Sequence, residues 1–300
     1  MKKKTYLFAL MAMALTLGSC SDNENGIGGE TSKYITVSTS IGNMTRVATD
    51  ANGGQTFEEG DEISVYAWTG APTVAPETSE RVVNNAINKL TNGSWVSTPQ
   101  MLWKNNRDKH YFIGVYPISA ISDLSAGEYT FDVNKQTESD LLVAVNKDGL
   151  SYNVDEQQTV PLTFTHVMAK LVVNLTYKNQ WGGIPTVEKV VVGNAAKEAT
   201  INYLTKVVTP STTAKEDFSL PEITENTKYV SVIIPQEDVK QLTIVIGGKN
   251  FVYDNGTPFK LESGKITTVN LEVGRDEIKL GDVKITNWED GSTFSGEALN

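Results

Sequence analysis

Residues 62–68 (EISVYAW) alternate between polar and apolar side chains with a period of two, and residues 34–41 (YITVSTSI) and 128–133 (EYTFDV) repeat this pattern. Side chains of a β-strand point alternately to opposite faces, so this period predicts half-buried strands. Further runs rich in Val, Ile, Thr and aromatic residues, which favour strands, cover residues 167–177, 187–192, 229–234, 242–246, 266–273 and 283–288. The sequence therefore predicts an all-β protein.

Turn signals separate these runs, and they include Asn92-Gly93, Gly182-Gly183, Gly247-Gly248 and Ser263-Gly264. Many short strands between such turns favour β-sandwiches, and Gly247-Gly248 predicts a hairpin over residues 240–254. One segment is ambiguous, because residues 79–90 space their apolar side chains as a helix does. Helix, strand and loop all stay open there.

The length of the chain favours two domains. Residues 151–161 form a polar stretch that ends in a proline, and this is the natural boundary. We predict a first β-sandwich over residues 33–158 and a second over residues 159–300.

The N-terminus has the features of a secretory signal peptide over residues 1–19. Three lysines precede an apolar run over residues 6–17, which is too short to span a bilayer. The run closes with Leu17-Gly18-Ser19-Cys20, which resembles a lipobox. We expect cleavage before Cys20, followed by acylation of its thiol and its α-amino group, palmitate included. The alternative is an ordinary signal peptide with a chance cysteine; in either case, no second cysteine exists to form a disulfide.

Residues 20–32 form a polar, acidic segment after the predicted cut. Such stretches resemble the export signal that carries lipoproteins of Bacteroidetes to the outer face of the outer membrane, although a flexible tether also fits. The whole chain carries a formal net charge of −10. This charge disfavours binding to nucleic acid or to anionic lipid, so the predicted membrane link is the lipid anchor alone.

Residues 57–67 (FEEGDEISVYA) and five later stretches match the motifs of one family, in that family's order. The later stretches are Trp103 with 110–117 (HYFIGVYP), 140–144 (DLLVA), 162–171 (LTFTHVMAKL), 234–236 (IPQ) with 261–275, and 285–291 (ITNWEDG). Together they resemble the fimbrillin-like (Mfa-like) lipoproteins of Bacteroides and Porphyromonas. The departures are His110, where the motif has a tyrosine, and Gly114-Val115, which replaces a small–aromatic pair.

The resemblance implies a pilus (fimbria) subunit with two transthyretin-like β-sandwich domains in tandem. It also implies that the partners are other pilus subunits, and that the protein supports adhesion at the cell surface. The alternative is a subunit that does not polymerise: a pilus anchor, a tip adhesin or a surface lipoprotein that binds a glycan. The sequence names no host protein or glycan receptor.

Enzyme motifs are missing from the sequence, and we predict no catalytic residues, no metal and no cofactor. The two histidines, His110 and His166, lie far apart and have no cysteine partners for zinc. His166 is best explained as a hydrogen-bonded structural residue at a strand entrance. The tryptophans at positions 95, 103, 181 and 288 are expected in cores, with a sugar site as the alternative.

Arg46 is the only arginine before position 81. In the stalk pilins of the resembled family, an arginine-specific protease cuts at such a place and removes the first strand. Here the cut would fall between Arg46 and Val47 and would release a strand whose inward side chains are Ile35, Val37, Thr39 and Ile41. The vacated groove would accept a strand from the next subunit, with residues 283–288 as the expected donor. The alternative is a loop arginine in a fixed surface lipoprotein.

Overall fold

The structure is a computed structural model that describes residues 33–42, 57–156 and 158–288. Within these ranges, strands hold 59% of the residues and helices hold 4%, which confirms the predicted all-β class. The helical segments are α1 (Gln136–Ser139) and two 3₁₀ turns, Thr78–Glu80 and Asn179–Trp181.

The first half of the chain builds a seven-stranded sheet. Its spatial order is β1 (Thr36–Ile41), β8 (Thr159–His166), β7 (Leu142–Leu150), β5 (His110–Tyr116), β2 (Glu62–Thr69), β3 (Val83–Thr91) and β4 (Ser94–Thr98). The pair β1–β8 is parallel, and every other pair in this sheet is antiparallel.

The remaining strands form three further sheets. The five-stranded sheet has the order β14 (Glu222–Thr224), β15 (Lys228–Ile233), β9 (Ala169–Tyr177), β18 (Lys265–Val273) and β19 (Ile278–Asn287). The four-stranded sheet has the order β13 (Lys215–Ser219), β10 (Val187–Ala196), β16 (Gln236–Ile246) and β17 (Lys249–Leu261). The three-stranded sheet joins the two halves of the chain: β12 (Val207–Pro210), β11 (Glu198–Asn202) and β6 (Gly127–Thr130).

The seven-stranded sheet is buried on both faces at its centre. In β2, Ile63 and Val65 join a smaller core cluster, whereas Tyr66 and Trp68 join a larger one. The smaller core cluster holds residues of the first half together with Val160, Leu162 and Phe164 of β8. The larger core cluster continues into the sheets of the second half. The sheets thus pack as sandwich-like domains, as the sequence predicted.

Strand β8 belongs to the seven-stranded sheet, because it pairs with β1 and β7. The sequence had assigned it to the second sandwich, which was predicted to start at residue 159. His166 accordingly lies at the end of β8 rather than at a strand entrance. The next strand, β9, lies in the five-stranded sheet. The predicted domain boundary between residues 158 and 159 stays a prediction.

The ambiguous segment 79–90 contains β3, and a β-bulge explains its helix-like spacing. Val65 pairs with Ala86, but Ala67 pairs with Val83, so β3 has one extra residue between these pairs. The extra residue places two buried side chains three positions apart, as in a helix. The predicted hairpin over residues 240–254 is confirmed by β16 and β17, whose turn residues Gly247 and Gly248 both have positive φ.

Candidate strand-exchange site

Strand β1 lies at the edge of the seven-stranded sheet and is held by a single backbone neighbour, β8. The register pairs Val37 with Val160 and Ile41 with Phe164. Just before the strand, the amide of Ile35 donates a hydrogen bond to the carbonyl of Met101 at 3.0 Å. The described N-terminal segment is therefore an outer layer over the smaller core cluster.

Of the four residues predicted to fill a groove, three lie on the inward face of β1, and Ile35 lies directly before the strand. Ile35 is 1% exposed, Val37 and Ile41 are also buried, and Thr39 is half-buried. The hydroxyl of Thr39 accepts a hydrogen bond at 3.0 Å from the indole nitrogen of Trp95 in β4. The opposite face carries exposed hydroxyl groups, as in the pair Ser40 and Thr163 at 3.1 Å. The period of two in this sequence thus corresponds to one apolar and one polar face.

Aromatic side chains form the floor next to β1. The ring of Phe57 makes edge-on contacts with Trp95, Tyr116 and Phe164, with centroids 5.3, 5.4 and 5.1 Å away. Such perpendicular pairs stabilise a core beyond the burial of their area. A surface groove of about 710 Å³ extends along β1 to the β3–β4 hairpin, with Phe57 and Trp95 in its lining.

The turn before β2 positions Phe57. Gly60 takes a φ of +98°, and the carboxylate of Asp61 accepts a hydrogen bond at 2.7 Å from the amide of Glu58. Both features are typical of a turn, with glycine in the left-handed region and aspartate bonding a backbone amide. Burial raises the pKa of Asp61, and burial together with the nearby Asp61 raises the pKa of Tyr116 to about 12. The Tyr116 hydroxyl therefore stays protonated. It donates a hydrogen bond to Asp61 Oδ1 at 3.4 Å.

Strand β19, which contains most of the predicted donor segment, is also an edge strand. It pairs only with β18, in antiparallel register. Val283 and Ile285 are 40% and 39% exposed. Residues 281–285 are all exposed, so this part of β19 is only partly covered by its own chain.

Trp288, directly after β19, is deeply buried with 2% exposure. Its indole stacks on the imidazole of His166, with ring centroids 4.1 Å apart and planes 7° apart. The ammonium of Lys170 lies 5.3 Å from the indole centroid, a cation–π contact. Asp140 Oδ1 lies 2.8 Å from His166 Nδ1 and fixes the imidazole. We call Asp140, His166 and Lys170 the indole socket.

The sequence did not predict the indole socket. It expected Trp288 in a core, and the indole is buried in the larger core cluster, but it named no partner for this ring and treated His166 only as a hydrogen-bonded structural residue. The signal was nevertheless present, because Asp140, His166, Lys170 and Trp288 all fall inside the quoted family motifs. The hydrogen bond from His166 to Asp140 confirms that this histidine is hydrogen-bonded.

Cys20, Arg46 and Val47 lie outside the described residues. The tryptophans do not converge on one sugar site: Trp95 and Trp103 pack in or against the smaller core cluster, and Trp181 and Trp288 in or against the larger one. Within residues 33–42, 57–156 and 158–288, no three His, Cys, Asp or Glu side chains are placed to hold a metal ion. In the same ranges, no helix has the length and apolar character needed to cross a membrane.

An all-β chain of packed sandwich-like sheets, with exposed edge strands at both ends of its described part, defines the structural class of this protein. The family model described as "Fimbrillin-like" matches residues 45–288. The chain belongs to the fimbrillin-like family, and it is a pilus-related subunit of the cell surface.

Solved structures share the fold at low sequence identity. A candidate cell adhesion protein from Bacteroides uniformis has a TM-score of 0.63 at 16% identity, over 85% of this chain and 98% of that one. A candidate cell adhesion protein from Bacteroides ovatus has a TM-score of 0.60 at 18% identity, over 85% and 98% of the two chains. A fimbrial protein from Bacteroides vulgatus has a TM-score of 0.52 at 13% identity, over 84% and 99%. No curated protein sequence matches this chain.

Proposed function

We propose that this protein is a structural pilus subunit that assembles by strand exchange after proteolytic removal of β1. It would be exported as a lipoprotein anchored through Cys20 in the outer membrane, and it would support adhesion through the assembled fimbria. Its partners would be further copies of itself or related fimbrillins, and a host protein or glycan would be the receptor. The family match and the cell adhesion or fimbrial descriptions of the similar structures support this proposal.

The position of β1 is the observation that carries the proposal. The strand is terminal among the described residues, and it lies at a sheet edge. Together with the residue before it, the strand buries three aliphatic side chains: Ile35, Val37 and Ile41. A large aliphatic side chain contributes about 1.5–3 kcal/mol when buried, so losing the strand costs about 5 kcal/mol or more. Its removal would expose the edge of β8 and the apolar groove, and a strand from another chain could recover that free energy.

Strand β19 has the properties expected of a donor. Its apolar side chains Val283 and Ile285 lie two positions apart, on one face of an exposed strand. Burying them in the groove of a second copy would be favourable, because they are only partly covered in their own chain. Asn287 interrupts this face, and in the free subunit its side chain is hydrogen-bonded by Lys265.

The test compares wild type with Arg46→Lys after treatment with an arginine-specific protease. This substitution keeps the positive charge and removes the cleavage site. We expect a ladder of SDS-resistant polymers from wild type, and an uncut monomer from Arg46→Lys. The matched control is Arg107→Lys, because Arg107 is an exposed arginine in another turn, and this variant should polymerise as wild type does.

Mass spectrometry of the cut wild type should show a new N-terminus at Val47 and the loss of β1. Polymers from both wild type and Arg46→Lys would contradict the role of Arg46. A confirmed cut without polymers would favour the anchor or tip role, in which the subunit adheres but does not polymerise.

A further inference from the structure

We infer that the contact between Trp288 and the indole socket is a latch that retains β19 in the free subunit, and that withdrawal of the indole releases this strand for donation to a second copy of the chain. The inference rests on the proposed strand-exchange function. It adds that Trp288 controls the release of the donor strand β19.

The C-terminal part of β19 has little hold of its own on the protein, whereas Ile278 and Leu280 at its start pack against the larger core cluster. From Gly281 to Asn287, no side chain of the strand is buried. Its register with β18 is interrupted opposite residues 269–271 of that strand, where β19 itself has one extra residue around Gly281 and Asp282. Such a bulge leaves a residue unpaired and weakens the ladder locally. The polar contacts on this stretch are exposed, as in the 2.6 Å hydrogen bond from Asn270 to Asp282.

The end of the strand, in contrast, is held strongly by Trp288. Tryptophan has the largest side chain of the amino acids, and that of Trp288 is buried. Its backbone amide also donates a hydrogen bond at 3.0 Å to the carbonyl of Gly264. The indole lies in parallel contact with His166, close to the ammonium of Lys170. Ile278 and Leu280 at the start of β19 pack against the larger core cluster, so only the C-terminal part of the strand depends on this anchor. A strand end that has no buried side chain of its own is released when its anchor leaves its site.

The indole socket lies on the strand that carries the proposed acceptor edge. His166 is the last residue of β8, the same strand whose Val160, Leu162 and Phe164 pair with β1. The acceptor edge and the latch on the donor are therefore built on one strand. Asp140 precedes β7, the other neighbour of β8, so the imidazole is held between two strands of the seven-stranded sheet.

The experiment is hydrogen–deuterium exchange of the uncut mature protein, followed by mass spectrometry of peptides that cover β18 and β19. In Trp288→Ala, we expect the amides of β19 to exchange at least tenfold faster than in wild type, while the seven-stranded sheet keeps its protection. Trp288→Phe, which keeps a ring over His166, should restore most of the protection. Trp95→Ala removes a tryptophan from the edge of the smaller core cluster and should leave β19 unchanged.

Unchanged exchange in β19 of Trp288→Ala would overturn the latch, and so would equal acceleration in every strand, since Trp288 would then be an ordinary core residue. Polymerisation after cleavage is scored separately. If β19 is released in Trp288→Ala but cut wild type forms no polymers, the latch stands and the strand-exchange function fails. If cut wild type polymerises but β19 does not respond to Trp288, the function stands and the latch fails.

Discussion

The imidazole of His166 and the indole of Trp288 stack in parallel, with centroids 4.1 Å apart. The two residues are far apart in sequence: one ends β8 and the other follows the last strand of the described chain. This contact connects the sheet that carries the proposed acceptor edge to the strand proposed as donor.

The stack should be measurable as a coupling energy. Substitution of either residue by alanine destabilises the protein, and the double variant should lose about 0.5–1.5 kcal/mol less than the sum of the two single losses, because the stacking is lost only once. Urea unfolding of wild type, His166→Ala, Trp288→Ala and the double variant gives this value. His166→Ala combined with Trp95→Ala is the control and should be additive. Additive losses for His166 and Trp288 would contradict the coupling.

The inward face of β1 should contribute strongly to stability, and its outward face should contribute little. Ile35→Ala is expected to cost about 2–5 kcal/mol, because it removes a fully buried aliphatic side chain. Ser38→Ala, on the exposed face of the same strand, should change the free energy of unfolding by less than about 0.5 kcal/mol. Urea midpoints provide both values. Equal effects of the two substitutions would mean that β1 is not docked through this face.

Gly114 is required by the close approach of β8. A Cβ at this position would lie 2.6 Å from Cζ of Phe164, which is shorter than real contacts allow. Gly114→Ala should therefore destabilise the protein by about 1–3 kcal/mol through overpacking. Phe164→Leu in the same chain should relieve part of this loss, since the shorter side chain makes room. If the double variant is less stable than the sum of the single losses predicts, the clash is not the cause.

Stability should fall between pH 7 and about pH 5 through His110. Its Nε2 accepts a hydrogen bond at 3.0 Å from the amide of Lys104, and its Nδ1 faces the carbonyl of Asp108 at 3.1 Å. Burial lowers the pKa of His110 below the value of 6.5 that applies in the unfolded chain. On acidification the unfolded chain therefore binds a proton before the folded protein does, which favours unfolding.

His110→Gln should reduce this dependence on pH, because the amide side chain does not titrate. The measurement is the free energy of unfolding in urea at both pH values. At about pH 8 His110 is neutral in both states, and the difference between variant and wild type there reports packing alone. Identical losses on acidification in the two proteins would contradict the assignment.

Cys20→Ala should leave an unprocessed precursor that is not acylated. The reason is chemical, since alanine has no thiol to carry a thioether-linked lipid. Intact-mass spectrometry and outer-membrane fractionation measure the result. Cys20→Ser is the closest control in size, and it should fail in the same way. A wild-type mass with an unmodified Cys20 would rule out the lipid anchor.

The sequence by itself determined the class of the fold and most of the strands. Alternation with a period of two is a local property, and the inward positions Ile35, Val37 and Ile41 follow from it, because adjacent side chains of a strand must point to opposite faces. The turn at Gly60 and Asp61 is local too, since it depends on one left-handed φ and one side-chain acceptor.

Tertiary structure decided which strands became neighbours. The parallel pairing of β1 with β8 joins segments that are distant along the chain, and no local pattern specifies that register. The bulge in β3 is defined by its pairing with β2, which is not visible in the local sequence. The helix-like spacing of residues 79–90 was therefore ambiguous in the sequence alone. Trp288 was expected in a core, but only the tertiary structure decided its partner, because β19 ends at Asn287 and the chain then meets His166 of another sheet. A side chain's alternation is set by its own backbone, but its burial is set by whatever the rest of the chain packs against it.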